Sequence, residues 1–217
     1  MRFTKTLTTL LLMHVAIAAS GQSTSEIPQE AIRLQKEWAR VSYDVPDDER
    51  ADAMSDLVLS CDEMSPEVMA VETVIWCGIV RSTYAGLASP FSAMKYAKAA
   101  RQDFETAIEV DGEALSGSAY TSLGTLYFKV PGWPVGFGSD DEARKYLEKG
   151  LVLNPGGIDP NYFYGEYLYE QGNYEKSRQH LLKARDASPR PDRPVADRGR
   201  QLEIDSLLAK VGKKLGD

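Results

Sequence analysis

Two stretches decide the fold: DDEARKYLEKGLVLNP at residues 140–155 and YEKSRQHLLKARDASP at residues 174–189. Ala143, Leu147, Gly150 and Pro155 in the first are matched by Ser177, Leu181, Ala184 and Pro189 in the second, each pair 34 residues apart. Upstream of each quartet stands a helical pattern, Leu123-Gly124-x-x-Tyr127 in one case and Tyr164-Gly165-x-x-Leu168 in the other. Ala100, Phe104 and Ala107 repeat the small-large-small step earlier in the chain. Such spacing has a physical reason. Small residues at fixed points let two antiparallel helices touch, and large ones fill the gap to the next pair.

Around this repeat the chain reads as helices punctuated by proline and glycine, with no sustained alternation of apolar and polar residues. The pattern predicts helices over 28–43, 47–61, 66–87, 92–110, 113–129, 140–153, 160–171, 174–187 and 195–215. Ser65-Pro66, Asp140-Asp141-Glu142 and Asp159-Pro160 supply start signals, and Asn154-Pro155-Gly156-Gly157 and Gly172 supply stops. The expected fold class is all-α.

The matched residues resemble the tetratricopeptide repeat family, whose unit is a 34-residue helix pair. Leu123, Gly124, Tyr127, Ala143, Leu147, Gly150 and Pro155 follow its signature in one unit. Gly165, Leu168, Leu181, Ala184 and Pro189 follow it in the next, with Ser177 in place of an alanine. The likeness is good over 117–189, fair over 74–112 and thin over 28–65. The repeats are divergent: Gly124 and Ala143 are separated by seven residues more than in the family unit, because an insert occupies 130–138. The resemblance implies a right-handed α-α superhelix sealed by a C-terminal capping helix. It divides the chain into a leader at 1–21, a poorly matched helical pair at 22–65, divergent repeats at 66–189, and an Arg/Pro loop with the cap at 190–217. Secreted helical-repeat proteins with such inserts also resemble the accessory component of certain periplasmic solute transporters.

Arg2 and Lys5 precede a short apolar run from Leu7 to Ala19, followed by small residues, the pattern of a cleavable secretory signal. The run is shorter than the roughly 20 apolar residues that span a bilayer, and no cysteine lies near the exit for a lipid anchor. The expected location is therefore periplasmic or secreted, without stable membrane insertion. The chain has 217 residues and a formal charge of −7. That leaves no basic surplus for nucleic acid. Residues 26–72 hold 13 acids and 4 bases, and residues 173–217 hold 7 acids and 11 bases. Cys61 and Cys77 are expected to stay unbridged: with the third helix starting at Pro66, a hairpin would hold them roughly 15 Å apart at 1.5 Å per residue, and a bridge requires less than about 7 Å.

Candidate binding residues come from three places. The insert Val130-Pro131-Gly132-Trp133-Pro134-Val135-Gly136-Phe137-Gly138 carries two rings, Trp133 and Phe137, expected either to plug the groove of the array or to form one wall of a ligand pocket. The family resemblance implies that the first helix of each pair lines the concave face, which carries Ser118, Thr121, Thr125 and Phe128, then Tyr162, Glu166, Tyr169 and Glu170. The crowding of Tyr162, Phe163, Tyr164, Tyr167 and Tyr169 on one helix exceeds what one buried face absorbs. Finally, Arg190, Arg193, Arg198 and Arg200 form a proline-stiffened basic loop, suited to a carboxylate partner or to pairing with Asp192, Asp197 or the acidic N-terminal helices.

No catalytic residues, cofactor or metal are expected. His180 is the one histidine left after the leader is removed, and no zinc-type cluster appears. A carboxylate pair at Glu166 and Glu170 has the spacing of an acid–base site, but such pairs are common on solvated helices. The expected function is non-catalytic binding of a protein or peptide. The alternatives are a solute-binding transporter accessory and, less favoured, a carboxylate hydrolase.

Overall fold

The computed structural model describes residues 27–64 and 69–216. The leader expected at 1–21 lies outside them. Among the described residues the chain is all-α, with helices α1 (Gln29–Tyr43), α2 (Asp47–Asp62), α3 (Val71–Leu87), α4 (Pro90–Asp111), α5 (Ala114–Lys129), α6 (Asp140–Leu153), α7 (Ile158–Glu170), α8 (Tyr174–Arg185) and α9 (Pro194–Leu215). Local chemistry sets several ends. Prolines precede or open α1, α2, α4 and α9, where a missing N–H costs nothing. The Ser139 hydroxyl accepts from the Glu142 N–H at 3.3 Å, so the cap of α6 is Ser139, one residue before the expected Asp140.

Consecutive helices form antiparallel pairs, as the small residues require. In α3/α4, Gly78 faces Phe104 and Tyr84 meets Tyr96 at 4.7 Å between ring centres. Between α5 and α6, Gly124 lies against Leu147 and Ala143, and Gly150 against Thr121. In α7/α8, Gly165 lies against Leu181 and Ser177, and the Ser177 hydroxyl donates to the Gly165 carbonyl at 2.7 Å. Serine at this alanine position is therefore satisfied within the interface. Phe104, Leu123, Leu147 and Leu181 are fully or almost fully buried between the pairs.

The pairs stack so that α1, α3, α5, α7 and α9 form an inner layer, each touching the next, with α2, α4, α6 and α8 outside. The inner layer also closes. Helix α9 packs on α7 and α8 through Ile204, Leu207 and Val211, and its N-terminal end meets α1. There Gly199 lies so near the Tyr43 ring that a Cβ would overlap it, and Arg198 pairs with Asp44 at 2.6 Å.

One expectation fails. Cys61 and Cys77 form a disulfide with Cα atoms 5.7 Å apart. The third helix begins at Val71, not Pro66, so Cys77 lies about a turn and a half into it. The expected start signal Ser65-Pro66 lies outside the described residues, and the later start of α3 places Cys77 level with Cys61. The bridge is buried among Ala31, Leu34 and Trp76.

Candidate functional site

The inner helices enclose a pocket of about 490 Å³. Trp38 and Tyr43 come from α1, and Trp76, Ile79, Ser82 and Thr83 from α3. Ser118, Thr121, Ser122, Thr125 and Lys129 come from α5, Asp159 and Phe163 from α7. The turn before α9 adds Arg190, Asp192 and Arg193, and α9 itself adds Ala196 and Arg200. The helical period explains the lining. Trp76, Ile79 and Thr83 follow one stripe of α3, and Ser118, Thr121, Ser122, Thr125 and Lys129 follow one stripe of α5.

The pocket lining includes unusual backbone. Leu115, Ser116 and Gly117 all have positive φ, at 48°, 56° and 75°. Left-handed conformation disfavours residues with a Cβ by about 1–2 kcal/mol each. This turn delivers Leu115 and Ser116 to the pocket and separates the end of α4 from the regular part of α5, which then presents Ser118.

Aromatic rings and charges divide the pocket. Trp38 and Trp76 meet at 5.8 Å with tilted planes, Trp38 meets Tyr43 edge-on at 5.9 Å, and the Trp38 indole N–H donates to the Thr83 hydroxyl at 2.9 Å. Beside Tyr43, Asp159 accepts from Arg190 at 2.6 Å and from Arg200 at 3.0 Å. Burial pushes the Asp159 carboxyl up, but the two guanidinium groups outweigh it and hold the group down to about 2. Arg190 also pairs with Asp197 at 2.6 Å, and Arg200 with Glu203. The guanidinium of Arg200 lies 4.5 Å from the ring centres of Tyr162 and Phe163. The basic loop thus pairs internally, with Asp197 and with the acidic N-terminal helices through Asp44, as one sequence expectation had it.

Six of the candidate groove and loop residues line the pocket: Ser118, Thr121, Thr125, Arg190, Arg193 and Arg200. The Thr125 hydroxyl donates to the Thr121 carbonyl at 2.8 Å. The others lie elsewhere. Phe128 packs edge-on against Tyr167 at 5.9 Å, between α5 and α7. Tyr162 is buried in the core shared by α7, α8 and α9. Tyr169 packs on Tyr174, and Glu166 pairs with Lys129 at 2.6 Å. Of the five rings crowded on α7, Phe163 alone reaches the pocket; the rest pack between helices. Glu166, held by Lys129, does not stand with Glu170 as an open carboxylate pair.

The insert does not plug the groove. Phe137 packs on the outer side, edge-on to Tyr127 at 5.6 Å and under the Arg101 guanidinium at 4.9 Å. Trp133 is 90% exposed, and Val135 71%. Two prolines and three glycines shape a self-contained loop closed by Gly138 N–H donating to the Pro131 carbonyl at 2.9 Å.

His180 is also occupied. Its Nδ1 lies 3.1 Å from Asn161 Oδ1, and the Asn161 amide N–H donates to the Pro155 and Gly157 carbonyls. With Asn161 committed as acceptor, Nδ1 carries the proton, and burial followed by the Lys183 charge lowers the ring's proton affinity. Among the described residues no cluster of three or more His, Cys, Asp or Glu side chains forms a metal site.

Sequence reasoning missed Trp38, Tyr43 and Trp76, whereas Phe163 and Arg200 stood among its crowded rings and basic-loop residues. The stripe Trp76-x-x-Ile79-x-x-x-Thr83 was a usable signal, but only the resemblance designated inner helices, and it is weakest over α1 and α3. No protein-family model matches this chain, and no curated protein matches it.

Proposed function

We propose that this chain is an extracytoplasmic, non-catalytic binding protein built from divergent tetratricopeptide-type helix pairs, and that it takes its ligand in the central pocket. The closure of α9 on α1 carries this reading. An open superhelix offers a trough for an extended peptide; here the inner layer curls back on itself and leaves about 490 Å³, in the range of pockets that hold small molecules. The ring closure therefore favours a solute over a long peptide, in keeping with the likeness to transporter accessory proteins. The Cys61–Cys77 disulfide suits an oxidising compartment, and so does the signal pattern at the N-terminus. The engagement of His180, Glu166 and Asp159 in structural pairing supports binding without chemistry.

Mature protein purified under native conditions is expected to retain a small molecule detectable by native mass spectrometry. A folded Ser122→Trp variant, which places a ring in the pocket, is expected to lose it. Undiminished retention by that variant contradicts the pocket reading.

Exposed apolar groups favour a second reading, protein docking. Phe91 is 98% exposed at the start of α4. Insert residues Pro134 to Phe137 lie beside Lys98, Arg101 and Gln102 further along that helix. On this reading, partner capture is lost in Trp133→Ala while ligand retention is kept.

A further inference from the structure

Four cationic side chains line the central pocket, in a protein whose overall charge is −7. Three have close counter-charges: Lys129 with Glu166, Arg190 with Asp159 and Asp197, and Arg200 with Asp159 and Glu203. Arg193 differs. Its side chain is 19% exposed, yet its nearest carboxylate in an ion pair, Asp192, is 3.9 Å away and is itself 67% exposed. Asp159 and Asp197 act on it from beyond ion-pair distance, each already held by other guanidinium groups. The Gln35 side chain, with its amide oxygen turned toward the guanidinium, accepts from both Nε and Nη2, and the Trp76 ring lies 5.5 Å below.

A mostly buried guanidinium without a close counter-charge is costly unless something neutralises it. Burial and the neighbouring Arg190 work against its charge and outweigh the support of Asp159, Asp192 and Asp197, so its proton affinity is lowered. Arg193 also immediately precedes α9, so the positive end of a 22-residue helix faces the same space, and Ala196 of its first turn lines the pocket.

We propose that the pocket binds a small organic monocarboxylic acid, with Arg193 gripping the carboxylate and Trp38, Trp76 and Phe163 enclosing an apolar or aromatic body. This rests on the reading of the pocket as the ligand site and adds the ligand's class. A planar guanidinium matches a carboxylate through two parallel N–H···O bonds. Aromatic walls that begin at Trp76, against Arg193 itself, supply apolar burial, and the hydroxyls of Ser118 and Ser122 line the same pocket for polar substituents. The neighbouring charges set an upper bound on ligand charge. Asp159 is ionised throughout the neutral range and Asp192 stands beside Arg193, so a phosphate ester or a dicarboxylate meets more repulsion than a single carboxylate does.

The test is calorimetric titration of the mature protein with phenylacetate, 3-phenylpropionate and octanoate, each against its primary amide. The amide keeps the body and removes the charge. At least one acid is expected to bind ten-fold or more tightly than its amide. Arg193→Gln is expected to abolish that preference, lowering acid affinity at least ten-fold while leaving amide affinity unchanged. Arg193→Lys, which retains the charge and loses the planar fork, is expected to keep part of it. Circular dichroism establishes that both variants are folded. Equal binding of acids and amides, unaltered in Arg193→Gln, overturns the carboxylate assignment while the pocket remains the binding site. Failure of both classes to bind the wild-type chain overturns this inference, and retention of another ligand lost in Ser122→Trp then shows that the pocket reading survives without it.

Discussion

At the level of single residues, Asp159 ties the pocket together. It joins Arg190 from the loop to Arg200 from α9, so its charge fixes both guanidinium groups. Its folded value of about 2 lies below the roughly 3.9 of an unfolded aspartate. Between those values the unfolded chain binds the proton more readily, so stability rises with pH there. The contribution is fully present above about pH 4 and fades as pH falls toward 2. Asp159→Asn is expected to lose about 3–5 kcal/mol at pH 7, since it strips a buried pair of guanidinium groups of their shared partner. The loss should shrink toward pH 2, as measured by urea unfolding across that range. A variant as stable as wild type at pH 7 contradicts the pairing. From sequence, Asp159-Pro160 reads as a helix start; α7 begins slightly earlier, at Ile158, and Asp159 lies in its first turn. Its second role was hidden because both partners come from more than 30 residues away.

Between elements, contact at small residues decides the packing. A Cβ on Gly124 would stand 2.7 Å from Leu147 Cγ, 2.8 Å from the Leu147 backbone nitrogen and 3.0 Å from the Ala143 carbonyl oxygen. Two of these atoms belong to backbone and cannot swing aside. Gly124→Val is therefore expected to destabilise the protein by about 3 kcal/mol through overpacking, with its thermal midpoint lowered. An unshifted midpoint contradicts the close approach of α5 and α6. These positions were legible because small residues at 34-residue spacing report distances between helices directly. The α2–α3 connection was not. Ser65-Pro66 is a sound start signal by local chemistry, but α3 starts at Val71, and that difference of five residues hid the disulfide. The expected concave lining failed for a similar reason. Phe128, Tyr162 and Tyr169 lie on the inner helices but point into the interfaces between neighbours, where large rings are needed to fill space.

For the whole molecule, ring closure turns a row of helix pairs into a container. The charge asymmetry of the sequence, acidic toward the N-terminus and basic toward the C-terminus, is consistent with the two ends meeting, and Asp44 and Arg198 join across 154 residues. An exposed ion pair of this kind contributes at most about 1 kcal/mol. The tighter contacts are Gly199 on Tyr43 and Arg193 on Gln35 and Trp76. Composition could suggest that the ends attract, but not which of many acids and bases would meet, because that choice depends on how much each stacked pair turns relative to the last. Helix α9 was expected as a cap on the final repeat, and it does cover α7 and α8. Its N-terminal turn also completes the pocket wall.

Closure of α9 on α1 is tested most directly by cross-linking an Asp44→Cys, Arg198→Cys double variant with a short bismaleimide at low protein concentration, the native cysteines being sealed in their disulfide. Near-complete cross-linking within single chains, seen as a faster-migrating band carrying one linker by mass, is the expected result. Two singly capped cysteines per chain, or links only between chains, would contradict the closed ring and with it the pocket.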